Sequence, residues 1–250
     1  MTTYNRPLII LQQKIIACER CPRLIHYCRK VAKEKRRSYR DQEYWGKPVP
    51  GFGDPDAELL ILGLAPGAHG SNRTGRMFTG DRSGDFLYPA LHTAGFANQP
   101  ESHNRGDGLE LRGCYITASL RCAPPQNKPR PEELRNCQPY LERELELLPR
   151  VRAVLALGRI AFDTYLRLVS RPAPGSAALH SGSAASQETA TQKNFPPRSS
   201  FVFTHGTSFA LPGGLPRLFA SYHPSQQNTQ TGKLTPRMMQ NVLQDIRKFL

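Results

Sequence analysis

Three side chains of this sequence stand where they could help break a bond. Asp81 closes a glycine-rich stretch, residues 63–81 (GLAPGAHGSNRTGRMFTGD), and His223 opens a His-Pro-Ser turn. A carboxylate and an imidazole facing one crevice suit hydrolysis: one orients water or stabilises a developing cation, the other stabilises a leaving anion. Phe78, three residues before Asp81, offers an aromatic face for a planar ring. Each has a plainer role as well: Asp81 as a helix cap, His223 as a turn residue, Phe78 as core. Their shared position after apolar, strand-like runs favours the chemical reading. A phosphate cradle is excluded, because residues 70–76 lack the Gly-Lys-Ser/Thr ending and no compact G-x-G-x-x-G follows the strand.

Six cysteines form a second group with chemical potential. Cys18 and Cys21 make a Cys-x-x-Cys pair followed by Pro22, and Cys122 and Cys137 lie on either side of a proline-rich loop. Together they supply four thiolates, enough for zinc or an iron–sulfur cluster, and spacing does not choose between the two. Cys28 competes as a ligand, and Cys114, at the start of a strand, reads as a small buried hydrophobe.

The charge balance narrows the partners. With 34 Lys and Arg against 20 Asp and Glu, the net charge is +14, which points to a polyanion and first of all to nucleic acid. The run 29–40 (RKVAKEKRRSYR) reads as a surface that contacts phosphates. No apolar run reaches the roughly 18 residues of a membrane span, and the N-terminus shows no signal-peptide pattern. The expectation is therefore a protein inside the cell with no membrane partner.

The elements that must position these groups follow from periodicity and punctuation. Strands are expected at 58–64, 114–120 and 152–157, with shorter candidates at 201–204 and 215–221. Helices are expected at 7–17, 85–94 with Gly95 as stop, from Pro131 onward, 158–168, and 235–250 with Thr235 as cap and Pro236 at the first position. The alternation predicts one α/β domain over 1–250, three layers deep (α/β/α), on a mainly parallel four-stranded sheet. Residues 170–200, rich in Ser, Ala, Pro, Gly, Gln and Thr, read as a flexible low-complexity insertion.

Three stretches carry a resemblance. Residues 63–81, residues 117–129 (TASLRCAPPQNKP) with Cys137, and residues 221–235 (SYHPSQQNTQTGKLT) together resemble the type-5 uracil-DNA glycosylases, a bacterial and archaeal branch of the uracil-DNA glycosylase superfamily. The resemblance covers nearly the whole chain except 170–200. It implies a monofunctional glycosylase that flips uracil, and other deaminated or damaged bases such as hypoxanthine, xanthine and ethenocytosine, out of double-stranded DNA and leaves an abasic site for base excision repair. It implies a monomeric, cytoplasmic, nucleoid-associated prokaryotic protein. It also implies a [4Fe–4S] cluster on Cys18, Cys21, Cys122 and Cys137.

The family's base-stacking aromatic falls on Phe78, its acid on Asp81, its motif histidine on His223 and the asparagine of its Pro-Pro-x-Asn-Lys segment on Asn127. Backbone amides around Ala65, Gly67 and Ala68 face the departing base, and Gln226, Gln227, Asn228 and Thr229 enter a groove beside the vacated position. There are departures. Leu64 stands where the related type-4 enzymes carry Glu, so Asp81 must act as the acid. Ala118 stands where those relatives have a uracil-reading Asn, which loosens discrimination among bases. Met77 replaces the usual proline before Phe78, and Gln230 a commonly aromatic residue. The rival classes are a non-catalytic iron–sulfur or zinc protein that binds nucleic acid, and a zinc hydrolase, for which no His-rich open ligand set is visible.

Overall fold

A computed structural model describes residues 6–170 and 195–250. The insertion expected at 170–200 therefore lies largely outside the described residues. The sheet has six strands rather than the four expected: β1 Phe52–Gly53, β2 Leu59–Gly63, β3 Cys114–Ala118, β4 Ala153–Leu157, β5 Ser208–Phe209 and β6 Arg217–Ser221, in the order β1-β3-β2-β4-β6-β5. The four central strands are parallel, as expected, and the two additions are antiparallel edges. Each edge strand is two residues long, too short to show the period-2 alternation by which a strand is read. The candidate strand at 201–204 is irregular, and β6 takes its edge pairing from Ser208 and Phe209 instead.

Central strands that are apolar on both faces need a cover on each side. Helices α1 Arg6–Ile16, α2 Pro22–Glu34, α3 Ser71–Thr74, α4 Arg82–Thr93, α5 Pro131–Leu147, α6 Arg159–Val169, α7 Gln226–Gln230 and α8 Pro236–Phe249 complete the described chain. Alternate residues divide the core. Leu59, Ile61, Ile116 and Leu155 pack under α4 and α8, while Leu60, Leu62, Val154 and Leu218 pack under α5 and α6. The result is three layers. The chain leaves β2 toward α4 on one face and leaves β4 toward α6 on the other, which opens a crevice at the carboxyl ends of those adjacent strands.

Local signals explain the helix ends. Helix α4 begins at Arg82, three residues before its expected start, because the Asp81 side chain caps it. Gly95 ends it with φ 75, and Thr235 caps α8 by accepting from the Met238 amide. The basic run 29–40 is helical only to Glu34. Lys35 turns left-handed (φ 53), and a 3₁₀ turn, Arg37–Tyr39, follows. Among the described residues no helix is long and apolar enough to cross a membrane.

Candidate active site

The glycine-rich loop after β2 folds back so that its end lies over its beginning. Phe78 has φ 52, a left-handed backbone that a bulky residue rarely adopts. Two glycines make room for it. A Cβ on Gly63 would sit 2.9 Å from Phe78 Cζ, and one on Gly84 would sit 1.8 Å from the Phe78 carbonyl oxygen. The ring is only 8% exposed and belongs to the core under α4, yet it also faces His223, with centroids 5.8 Å apart and planes 32° apart. The core reading of Phe78 holds, and its ring still lies against the crevice histidine. Met77, on its other side, is buried, and its carbonyl accepts from the Tyr88 hydroxyl at 2.7 Å.

The capping reading of Asp81 holds, and it uses only one of the two oxygens. One oxygen, Oδ1, accepts from the amides of Ser83 (3.0 Å) and Gly84 (3.2 Å) and so caps α4. The other, Oδ2, lies against the loop, where a Cβ on Gly70 would fall 1.9 Å from it and one on Gly67 2.7 Å. Gly67 and Gly70 are thus the space in which the carboxylate sits. Burial raises the Asp81 carboxyl above its ordinary value, and the Gly84 and Ser83 amides pull part of the way back.

Two arginines that sequence reasoning missed hold this loop. Arg73 donates to the carbonyls of His69 (2.8 Å) and Gly80 (2.6 Å), so it grips the residue directly before Asp81. Arg76, 4% exposed, donates to Thr79 Oγ1 (2.9 Å), Ser102 Oγ (2.9 Å) and both oxygens of Asp107 (2.8 and 2.6 Å). Burial alone would push the Asp107 carboxyl up. The Arg76 guanidinium and the amides of Leu109, His103 and Asn104 outweigh it and hold the group well below the carboxylate range. A depressed carboxylate of this kind adds stability above the ordinary pKa of Asp, about 4, and loses it as pH falls toward the folded value. The signal in the sequence was two arginines inside a glycine-rich loop, with a carboxylate in the polar segment 98–108.

His223 lines the crevice between β2 and β4. It joins Leu64, Leu157, Ile160, Phe203 and Tyr222 around a cavity of about 570 Å³. Gly158 lets it approach, since a Cβ there would be 3.3 Å from the His223 Cβ. Burial lowers its pKa to about 4, so the imidazole is neutral near pH 7 and can donate one ring N–H. Its carbonyl accepts from Asn228 Nδ2 at 2.9 Å.

The remaining expected residues fall in three groups. Ala65 and Ala68 pack against the cysteine-bearing core, with Gly67 between them. Ala118, 1% exposed, pairs with Gly63 across β2 and β3 on the Phe78 face. Gln226 and Gln227 are exposed at the start of α7, whereas Asn228 holds His223 and Thr229 Oγ1 donates to the Ser225 carbonyl. Asn127 is exposed on a left-handed turn (φ 56), and no described side-chain hydrogen bond ties it to Asp81, Phe78 or His223. Nor does any such bond link Asp81 to His223, and Asp81 is not among the residues that line the His223 cavity; Phe78, three residues earlier, makes the contact with that histidine.

The cysteines converge without a ready-made metal cage. Among the described residues no group of three or more His, Cys, Asp or Glu is arranged to hold a metal ion as it stands. Even so, Cys21, Cys28, Cys122 and Cys137 share one buried cluster, with Cys18 at the edge of the neighbouring one. Burial pushes the Cys137 thiol up to about 11, and the nearby Cys21 and Cys18 sulfurs add to that push. Asn136 Nδ2 donates to Cys21 Sγ at 3.5 Å. The Cys28 thiol faces Cys122 and the Ala123 carbonyl. Cys114 stands apart, fully buried on the α4 face against the Phe96 carbonyl.

Comparison with known proteins identifies the family. The family model for the uracil DNA glycosylase superfamily matches residues 50–247. The type-5 uracil-DNA glycosylase of Thermus thermophilus is 50% identical over 237 residues, covering 95% of both chains. Its namesake from Mycobacterium leprae is 47% identical over 240 residues, covering 96% of this chain and 94% of its own. That of Pyrobaculum aerophilum is 41% identical over 230 residues, covering 92% and 88%.

Proposed function

Since the chain belongs to the uracil DNA glycosylase superfamily, we propose that it is a monofunctional DNA glycosylase working at the edge where the Phe78 loop meets His223. It is a hydrolase of N-glycosyl bonds that excises uracil from DNA. The observation that carries the assignment of residues is the Phe78 ring lying against His223, on the loop that ends in the buried carboxylate of Asp81.

The steps follow from what each group offers. An N-glycosidic bond inside a duplex is out of reach, so the nucleotide is extruded and the base stacks on Phe78. Breaking the bond builds positive charge on the deoxyribose and negative charge on the base. Asp81 Oδ2, the oxygen not engaged by the helix, stabilises the sugar cation and orients the attacking water. Neutral His223 donates its ring N–H to the departing base, and amides of the loop at Ala65, Gly67 and Ala68 assist. Asn127 closes on the flipped nucleotide from the proline-rich loop. Gln226 and Gln227 enter the groove beside the gap, while Asn228 and Thr229 keep α7 and His223 in place.

Ala118 presents a methyl group where an amide would read one base edge, so the pocket accepts other deaminated or damaged bases. A panel of duplexes carrying uracil, hypoxanthine, xanthine or ethenocytosine tests this. We expect excision of uracil and of at least one deaminated purine; excision of uracil alone would remove the broad-substrate reading.

The cysteine set fits a [4Fe–4S] cluster by its donors: four thiols, three of them buried, with an amide N–H directed at one sulfur. Cys18, Cys21, Cys122 and Cys137 would hold it. Its contribution would be to tie the α1–α2 hairpin to the proline-rich loop. Iron and sulfide analysis of purified protein should give about four of each per chain for a cubane cluster. Stoichiometric zinc without sulfide would overturn it. The protein acts as a monomer in the cytoplasm of a prokaryote, on double-stranded DNA.

A further inference from the structure

The mechanism leaves unused the basic segment that follows α2. Arg36, Arg37 and Arg40 are exposed and have no carboxylate partner among the described residues, whereas Arg29 and Lys30 nearby are paired with Glu19 and Glu34. The 3₁₀ turn Arg37–Tyr39 places the Tyr39 ring under Arg73, with the guanidinium 4.0 Å from the ring centroid. Gln42 Oε1 accepts from a second nitrogen of the same guanidinium. Two residues on, the Tyr44 hydroxyl meets His69 Nδ1 at 3.0 Å, and the Trp45 and Gly46 amides donate to the carbonyls of Arg73 (2.8 Å) and Asn72 (3.0 Å). Segment 36–46 is therefore stapled along the back of the catalytic loop. Arg73 is the rivet: it is 8% exposed, and its remaining donors hold the carbonyls of His69 and Gly80.

We propose that Arg36, Arg37 and Arg40 grip a DNA phosphate strand, and that Tyr39 and Arg73 transmit that grip to Gly80 and so fix Asp81 in its working position. The proposal rests on the glycosylase reading above. Three exposed cations without a carboxylate partner among the described residues suit a polyanion, and neutralising phosphates gives sequence-independent, salt-dependent affinity. Gly80 has φ 78, and a Cβ there would meet Arg73 Nη2 at 2.4 Å, so glycine lets the backbone turn and the guanidinium approach at the contact through which the coupling runs. Tyr39 and Arg73 touch no reacting atom and are positioning residues.

The test separates grip from transmission. Affinity for a uracil-containing duplex is measured across a salt series, and the single-turnover excision rate at saturating enzyme. Arg37→Ala with Arg40→Ala should weaken binding and flatten the slope of log affinity against log salt by roughly one to two units. Tyr39→Ala should leave affinity and slope unchanged and lower the saturated rate about tenfold, and Tyr39→Phe, which keeps the ring face, should restore it. An unchanged salt slope in the arginine variant, or a wild-type rate in Tyr39→Ala, overturns the proposal while wild-type excision stands. Wild-type protein that excises no uracil overturns the glycosylase reading instead.

Discussion

Asp81→Ala loses excision by on the order of a hundredfold or more in single-turnover rate, because a preorganised charge facing the developing cation is gone. Binding to the uracil-containing duplex persists, since Asp81 is no part of the cationic surface. The same substitution removes the α4 cap, which costs about 1 kcal/mol. Alanine thus mixes loss of the charge with loss of the loop's anchor, and Asp81→Asn separates the two. Asparagine keeps an acceptor oxygen for the Ser83 and Gly84 amides but places a neutral amide where Oδ2 lies against Gly67 and Gly70. The asparagine variant should match wild type in thermal stability and share the alanine variant's loss of rate. If Asp81→Asn excises uracil at the wild-type rate, the carboxylate is only a cap.

Glu144→Ala has the largest expected effect on stability, about 3–5 kcal/mol. Glu144 and Arg121 are 0% and 1% exposed at their side chains, joined at 2.6 Å, and the Thr117 hydroxyl donates to the same Glu144 oxygen at 2.6 Å. Removing the acid leaves a guanidinium buried without its counter-ion. One polar atom of each partner, Arg121 Nε and Glu144 Oε1, already lacks a hydrogen bond. The pair also sets register. Arg121 adjoins Cys122, and Glu144 lies seven residues, two helical turns, after Cys137 on α5. Thermal denaturation measures the loss. The double variant Arg121→Met with Glu144→Leu should recover most of it, because it buries no unpaired charge. A melting temperature within 2 °C of wild type for Glu144→Ala, an ordinary surface effect by the usual scaling, would contradict the account.

The central sheet could be read from the sequence because its four parallel strands are almost wholly buried and so appear as mainly apolar runs. Phe78, Asp81 and His223 could be singled out as candidates because the first two close the glycine-rich loop after β2 and the third follows β6 by two residues. The buried arginines could not. A sequence shows that Arg73, Arg76 and Arg121 are charged, but not that Arg76 finds Asp107 31 residues away or Arg121 finds Glu144 23 residues away. They add to the net charge, but in the fold they are internal braces. The capping and catalytic readings of Asp81 were legible only as alternatives. With the helix start and the loop glycines placed together, one oxygen caps α4 and the other is left against Gly67 and Gly70.

The most direct measurement of the central claim is product analysis on a single-uracil duplex incubated with wild-type protein. It has added force because Lys233, an amine, lies against the Tyr222 ring at the edge of the same cavity. The expected products are free uracil in amounts equal to the sites lost and a strand that stays intact until alkali cleaves it at the abasic position. A strand that remains alkali-stable, with no uracil released, would contradict it.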